Sequence, residues 1–263
     1  MSKIVIEKAE LISKRNLGNG IYVLTFAPFS KLKKIRPGQF VHLQVPHGSI
    51  YFRRAFSVYD TSHEIKSFDV LLKNIGQGTR LIASMKKGEM ISVLGPLGNG
   101  FKDPGRNETV YLIAGGVGMP PIYYLAKYLI GKGYSPKKIL FFYGGKIRAD
   151  LVELSKIRKL GVRLILSTED GSIGQHGLVT QAVEEEISRV SGQKIFYSCG
   201  PVGLLEAVEQ LAVKYNIPGQ LSLEAPMPCG IGICLGCILP LKKGGYTRVC
   251  REGPVYNIGE VVI

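Results

Sequence analysis

Four of the five cysteines fall in one C-terminal stretch: Glu224-Ala-Pro-Met-Pro-Cys229-Gly-Ile-Gly-Ile-Cys234-Leu-Gly-Cys237, followed after twelve residues by Cys250. The spacing is C-x4-C-x2-C-x12-C. Grouped thiolates hold metal, and the first three cysteines match the opening of the plant-type 2Fe–2S ligand pattern. Gly230, Gly232 and Gly236 carry no Cβ, so the loop can wrap closely and turn N–H groups toward sulfur. A structural zinc site is a second reading, but it usually shows two short pairs, and only Cys234 and Cys237 form one. Two disulfides are a third reading. The N-terminus, Met-Ser-Lys-Ile-Val-Ile-Glu, has no signal-peptide core, which points to a cytoplasmic protein, where close cysteines more often bind metal.

A redox centre needs an electron source, and the upstream chain has to supply it. From about residue 4 to 102 the chain reads as short alternating strands between Gly and Pro turns: Ile21–Phe26, Phe40–Val45, Phe68–Leu72 and Met90–Leu94. This spacing predicts a small antiparallel barrel. Three motifs lie within it. In Arg53-Arg54-Ala-Phe56-Ser57, an arginine before an aromatic–hydroxyl pair suits a pyrophosphate beside a flat ring. In Gly76-Gln-Gly78-Thr79, two glycines admit a phosphate to the backbone and the threonine hydroxyl offers a donor. Gly95-Pro-Leu-Gly98-Asn-Gly100-Phe is a glycine-rich exit from the last barrel strand, and a plain linker fits it equally well.

Near residue 109 the period changes. The apolar strand Val110–Ala114 runs into Gly115-Gly116-Val-Gly118-Met-Pro-Pro and then a helix over 122–130. A strand, a glycine turn and a helix N-terminus suit a pyrophosphate. Strands at Lys138–Tyr143, Val162–Leu166 and Lys194–Tyr197 alternate with helices over 150–160, 178–190 and 202–215, predicting a doubly wound parallel sheet. Two loops at strand C-terminal ends fall where such sheets bind ligands. One is Cys199-Gly200-Pro201. The other is Ser167-Thr-Glu169-Asp170-Gly171, whose two acids would accept from a ribose hydroxyl and repel a 2′-phosphate, favouring NAD over NADP.

Composition excludes other classes. The net charge of +14 comes from dispersed lysines and arginines, with short clusters at Lys31–Arg36 and Lys242–Lys243. No nucleic-acid module accompanies them, so no nucleic-acid partner is expected. No apolar run reaches the roughly 18 residues of a membrane span. Residues 220–263 carry too little apolar mass for a core of their own, so a cluster would staple them.

In this order the motifs resemble the ferredoxin–NADP reductase superfamily. Its R-x-[YF]-[ST] segment falls on Arg54, Phe56 and Ser57, its G-G-x-G-x-x-P turn on Gly115, Gly116 and Gly118, and its C-G-P turn on Cys199, Gly200 and Pro201. Phe56 stands where tyrosine is commoner and cannot donate a hydroxyl hydrogen bond. The short interval to Cys250, with Leu223-Glu-Ala-Pro-Met-Pro-Cys and Val249-Cys-Arg-Glu-Gly-Pro-Val, is similar to the electron-transfer subunits of heteromeric NAD-linked dihydroorotate dehydrogenases. Pro228 before Cys229 departs from that pattern. The resemblance implies an FAD barrel (1–103), an NAD domain (104–219) and a 2Fe–2S unit (220–263). It implies that FAD binds at Arg54, Phe56, Ser57, Gly76, Gly78 and Thr79. NAD would bind at Gly115, Gly116, Gly118, Glu169, Asp170, Cys199, Gly200 and Pro201. The cluster would be held by Cys229, Cys234, Cys237 and Cys250. It further implies an FMN-containing catalytic partner, assembled as a heterotetramer. The cluster would face that partner, with Lys242, Lys243, Arg248 and Arg251 available for docking. A subunit serving a hydrogenase or a ferredoxin-dependent oxidoreductase has nearly the same parts, and a zinc-stapled nucleotide-binding regulator remains a reading from another class.

Overall fold

A computed structural model describes residues 4–32, 35–46 and 50–263; Lys33 and Lys34 of the first basic cluster lie outside these. The N-terminal region is a closed antiparallel barrel built from β1 (Val5–Gly18), β2 (Ile21–Ala27), β3 (Phe40–Leu43), β4 (Arg54–Ser62), β5 (Ser67–Lys73) and β6 (Met90–Leu97), in the order β1-β2-β5-β4-β3-β6. One helix, α1 (Gln77–Ser84), follows β5. Period-two alternation builds the barrel and docks it. On β2, Leu24 and Phe26 fill the interior, while Ile21 and Val23 point outward into the core of the next region.

That next region is a sheet with helices on both faces. Its elements are β7 (Thr109–Gly115), α2 (Met119–Gly131), β8 (Ile139–Gly145), α3 (Leu154–Lys159), β9 (Arg163–Thr168), β10 (Gln175–His176), α4 (Val179–Arg189), β11 (Lys194–Cys199), α5 (Val202–Tyr215) and β12 (Gly219–Ser222). These strands pair in parallel in the order β10-β9-β8-β7-β11-β12. Side chains alternate along β7: Val110, Leu112 and Ala114 face α2 and α3, whereas Tyr111 and Ile113 face α4 and α5. The strand order reverses between β7 and β11, so the loops leaving these two neighbours open a crevice at their C-terminal ends.

The C-terminal segment does not stand apart. After β12 the chain makes the cysteine loop and a small hairpin, β13 (Ile238–Pro240) with β14 (Tyr246–Arg248). It returns as β15 (Val255–Asn257), antiparallel to β12, and completes the seven-stranded sheet. The expected boundary at 219–220 therefore falls inside β12. Cys237, Val249, Cys250 and Tyr256 pack with Tyr111, Phe142 and Phe196 in one core, so the tail borrows its apolar mass from the sheet. No helix among the described residues is long and apolar enough to cross a membrane.

Polar ties bind the barrel to the sheet region. Arg15 of β1 forms a two-point pair with Glu153 at 2.7 and 3.1 Å, and the Tyr59 hydroxyl of β4 donates to the same carboxylate at 2.9 Å. Lys73 meets Asp150 at 3.2 Å, and Lys127 meets Asp60 at 2.6 Å. The glycine-rich exit after β6 is clasped by the tail: Asn99 N–H donates to the Gly253 carbonyl at 2.6 Å and its side chain to the Glu252 carbonyl at 2.8 Å.

Candidate functional site

The two arginines that head β4 separate in role. Arg53 donates to the Ser92 carbonyl at 2.8 Å and hydroxyl at 2.9 Å, tying β4 to β6. Arg54 instead lies across the start of α1, where a Cβ built on Gly78 would come within 2.7 Å of its Nε. The first N–H groups of α1 have no carbonyl within the helix to receive them. A guanidinium beside free N–H groups at a helix N-terminus is an anion site, and a pyrophosphate fits it. The Thr79 hydroxyl, expected to face the phosphate, accepts from the N–H groups of Ile75 and Gly76 and donates to the Gly76 carbonyl at 3.0 Å, so it closes the helix cap. Phe56 is half-buried against the barrel core, and Ser57 occupies the other face of β4.

A cleft of about 690 Å³ opens at the crevice beyond β7 and β11. It gathers Gly115, Gly116, Gly118, Glu169, Gly200 and Pro201 from the expected set. Its glycines do two different jobs. Gly118 abuts the next loop, since a Cβ there would sit 2.4 Å from the Cys199 carbonyl oxygen, and Gly200 abuts Gly115 at 3.1 Å. Loop-on-loop packing therefore demands them. Gly116 has φ +50° and open space where a side chain would stand, which leaves its backbone free to approach a ligand.

Glu169 lines this cleft, whereas Asp170 lines a neighbouring hollow and is occupied in its own turn, accepting from Ser172 N–H at 3.0 Å and Ser172 Oγ at 2.6 Å. Cys199 is buried, and burial and then Glu224 hold its thiol well above the ordinary range. It shapes the site through its backbone. The sequence reading missed Gly144, Gly145 and Lys146 after β8, although a glycine pair at a strand's C-terminal end is the signal used for the other loops. It also missed Glu224, which is exposed to the cleft, while the protein around it raises its carboxyl by desolvation.

The four C-terminal cysteines fall into two pairs. The Cys237 and Cys250 sulfurs lie 3.3 Å apart and are buried. Cys229 and Cys234 form the other pair; Cys234 is exposed and its sulfur receives the Gly236 N–H at 3.4 Å. At 3.3 Å the buried sulfurs are far beyond the roughly 2.05 Å of a disulfide. Two pairs suit a rhomb of two irons, each taking two thiolates, better than one tetrahedral zinc.

Burial works to raise the Cys229 thiol, but N–H groups of Ile231, Cys234 and Ile233 together with the Cys234 side chain bring it down to about 6. The buried Cys250 is pushed the other way, to about 12, by burial and by Cys237. Metal uptake must displace that proton. Ile233 (75% exposed) and Leu235 (56%) flank Cys234 in this loop, and the hairpin that follows exposes Ile238 and Tyr246 (73%), so the apolar rim of the lobe is made of these side chains' exposed surfaces. The basic residues expected there are partly engaged: Lys242 pairs with Glu209 at 2.7 Å, and Arg248 donates to Glu252 at 3.0 Å and to the Gly232 carbonyl at 2.9 Å.

Comparison with known proteins matches the same three regions. Residues 8–101 match the oxidoreductase FAD-binding domain, 112–210 the oxidoreductase NAD-binding domain, and 224–262 the iron–sulfur cluster binding domain of dihydroorotate dehydrogenase B. The chain is 39% identical over 258 residues to the dihydroorotate dehydrogenase B (NAD(+)) electron transfer subunit of Caldanaerobacter subterraneus subsp. tengcongensis, covering 97% of this chain and 98% of that one. It is 34% identical to the Enterococcus faecalis protein of the same name, covering 98% of both. Among solved structures, an NADH-dependent reduced ferredoxin–NADP oxidoreductase, described for flavin-based electron bifurcation, superposes with a TM-score of 0.85 at 28% identity over 97% of this chain and 89% of that one. An Amycolatopsis cytochrome P450 reductase shares the fold, with a TM-score of 0.68 at 21% identity, covering 81% of this chain and 67% of that one.

Proposed function

Because the chain belongs to the family of dihydroorotate dehydrogenase B electron transfer subunits, we propose that it carries electrons between NAD and a dihydroorotate-oxidising catalytic subunit, through FAD and a 2Fe–2S cluster, in pyrimidine biosynthesis. The observation that carries this reading is continuity. One short segment, Glu224 to Cys229, leads from the wall of the cleft to the first cluster cysteine, and the cysteine loop rests on the strand beside the Arg54–Ser57 motif. A nicotinamide supplies two electrons as hydride, a flavin accepts them together and releases them singly, and an iron–sulfur centre carries one at a time.

The residues of this chain bind, orient and separate. Arg54 and the first turn of α1, with Gly76 and Gly78, would hold the FAD pyrophosphate, and Phe56 and Ser57 would border its ring. Gly116 would admit the dinucleotide pyrophosphate, and Glu169 would accept from the adenosine ribose. Cys229, Cys234, Cys237 and Cys250 would hold the two irons. No side chain here acts on dihydroorotate.

The partner we propose is an FMN-containing subunit, in a heterotetramer, docked on the apolar rim of Ile233, Leu235, Ile238 and Tyr246. Two of these residues, Ile233 and Leu235, flank the exposed Cys234, so docking there would bring the cluster to the interface. A cytoplasmic setting keeps the thiols reduced. The 28% likeness to the ferredoxin–NADP oxidoreductase favours a second reading, in which the partner is a ferredoxin-linked oxidoreductase.

One preparation separates these readings. Protein purified without oxygen should contain flavin, two irons and two sulfides per chain, and NADH should bleach its visible spectrum. Mixed with an FMN-containing dihydroorotate-oxidising subunit, it should confer dihydroorotate-dependent reduction of NAD. Zinc without flavin overturns the redox reading. Full cofactors with coupling only to ferredoxin favour the second one.

A further inference from the structure

His42 is a buried polar residue with no obvious reason to be there. It lies on β3, fully buried, and neither Nδ1 nor Nε2 has a hydrogen-bond partner among the described residues. An imidazole held dry with both nitrogens unpaired is costly, and a leucine or phenylalanine would fill the same place at lower cost. A polar side chain kept there implies a partner that the protein atoms do not provide.

The position narrows the choice of partner. Strand register sets His42 beside Ala55, between Arg54 and Phe56 of the flavin motif, and beside Leu94 of β6. The Nδ1–Cε1–Nε2 edge of the ring faces Gly230, the residue after Cys229. A Cβ built on Gly230 would lie 2.6 Å from Cε1, 2.8 Å from Nδ1 and 3.1 Å from Nε2. The cysteine loop is therefore shaped around this ring, and any side chain at 230 would displace it. His42 does not line the dinucleotide cleft. In either charge state the imidazole carries at least one N–H donor.

We propose that His42 is a positioning residue for the iron–sulfur centre: with no cysteine sulfur in reach of either ring nitrogen, its ring N–H would donate to an inorganic sulfide of the cluster held in the Cys229–Cys250 loop, raising the reduction potential of that centre. The proposal rests on the cluster reading of the four cysteines. Hydrogen bonds to cluster sulfur stabilise the more negative, reduced state, which is how such donors tune potential. The same ring spaces strand β3 from the cluster loop, because it packs against Gly230.

The test uses the protein loaded with flavin and cluster, as wild type, His42→Phe and His42→Gln. EPR-monitored titration gives the cluster potential, absorbance gives the flavin potential, and iron and sulfide are assayed on the same samples. In His42→Phe the one-electron equilibrium should move about tenfold toward the oxidised cluster, a shift of about 59 mV to more negative potential. The flavin potential should stay in place, and His42→Gln, which keeps a donor, should recover at least half of the shift. Thermal unfolding of the metal-free chain should be no earlier in His42→Phe than in wild type. Pulsed EPR of reduced wild-type protein carrying ¹⁵N-histidine should show a nitrogen coupling to the cluster, a readout that needs no variant. An unmoved cluster potential, a moved flavin potential, Gln behaving as Phe, or no nitrogen coupling overturns the proposal. Absence of iron and sulfide from the wild type overturns the cluster reading itself.

Discussion

At the scale of single residues, neighbours of the same type do different work. Arg53 and Arg54 are adjacent, yet one ties β4 to β6 and the other lies over the start of α1. Arg54→Ala should weaken FAD retention at least tenfold, since hydrogen bonds to a charged group contribute roughly 1.5–3 kcal/mol. Flavin content after dialysis checks this. Arg53→Ala should keep its flavin and lose about 1 kcal/mol of stability. Cys237→Ser should remove the iron–sulfur EPR signal while NADH still reduces flavin in part. An unchanged signal would take Cys237 out of the ligand set. The cysteine and arginine motifs stood out in the sequence because the chemistry proposed for them depends on type and spacing. The engagement of the Thr79 hydroxyl in a cap was not, because a hydroxyl's partner is a matter of local backbone geometry. His42 gave no signal either, since one histidine in an apolar strand looks like any other core position until its missing partners are seen.

At the scale of elements, the strands and helices of the sheet region followed from apolar runs and glycine turns. The long β1 did not. Its pairing with β2 is interrupted at Leu11–Ser13 and Asn16–Gly18, and only Ala9 and Leu11 on it are buried, so its sequence shows no steady alternation. The helix expected over 150–160 is confined to Leu154–Lys159, because Glu153 takes a left-handed φ of 59° and ends any helix before it. Glu153 also latches α3 to the barrel. Burial works to raise its carboxyl, but Arg15, Lys156 and Tyr59 outweigh that and hold it below the usual range. Its contribution is then complete above the unfolded-chain value of roughly 4.3 and is lost as pH falls through the folded value. Glu153→Gln should be less stable than wild type at pH 7 by about 1–3 kcal/mol, and the gap should close on acidification below about pH 4. Denaturant midpoints measured across pH test this, and a gap that does not change with pH would count against it.

At the scale of the whole molecule, the regions matching FAD-binding, NAD-binding and iron–sulfur domains share one continuous framework. Order along the chain showed the three regions. It could not reveal that the last strand returns to the nucleotide sheet, because β15 is three residues long and its partner β12 lies far back in sequence. Nor could composition separate free charge from engaged charge: Lys242 and Arg248 look available in the sequence and are paired within the chain. The docking reading therefore shifts to the apolar rim. Leu235→Glu should weaken binding of the catalytic subunit roughly tenfold, about 1.4 kcal/mol, with flavin and iron content unchanged. Titration calorimetry or co-elution checks it, and unchanged binding would move the interface elsewhere. The pairing of β12 with β15 has one more consequence. Leu223 N–H donates to the Pro254 carbonyl at 2.9 Å, so everything from 224 to 253 leaves the sheet and comes back at the same point. The lobe is thus a cassette only in the path of the chain: Cys237, Val249 and Cys250 within it close the sheet core over Tyr111, Phe142 and Phe196, so trimming it to a tight turn would uncover that core and cost the fold as well as the one-electron outlet.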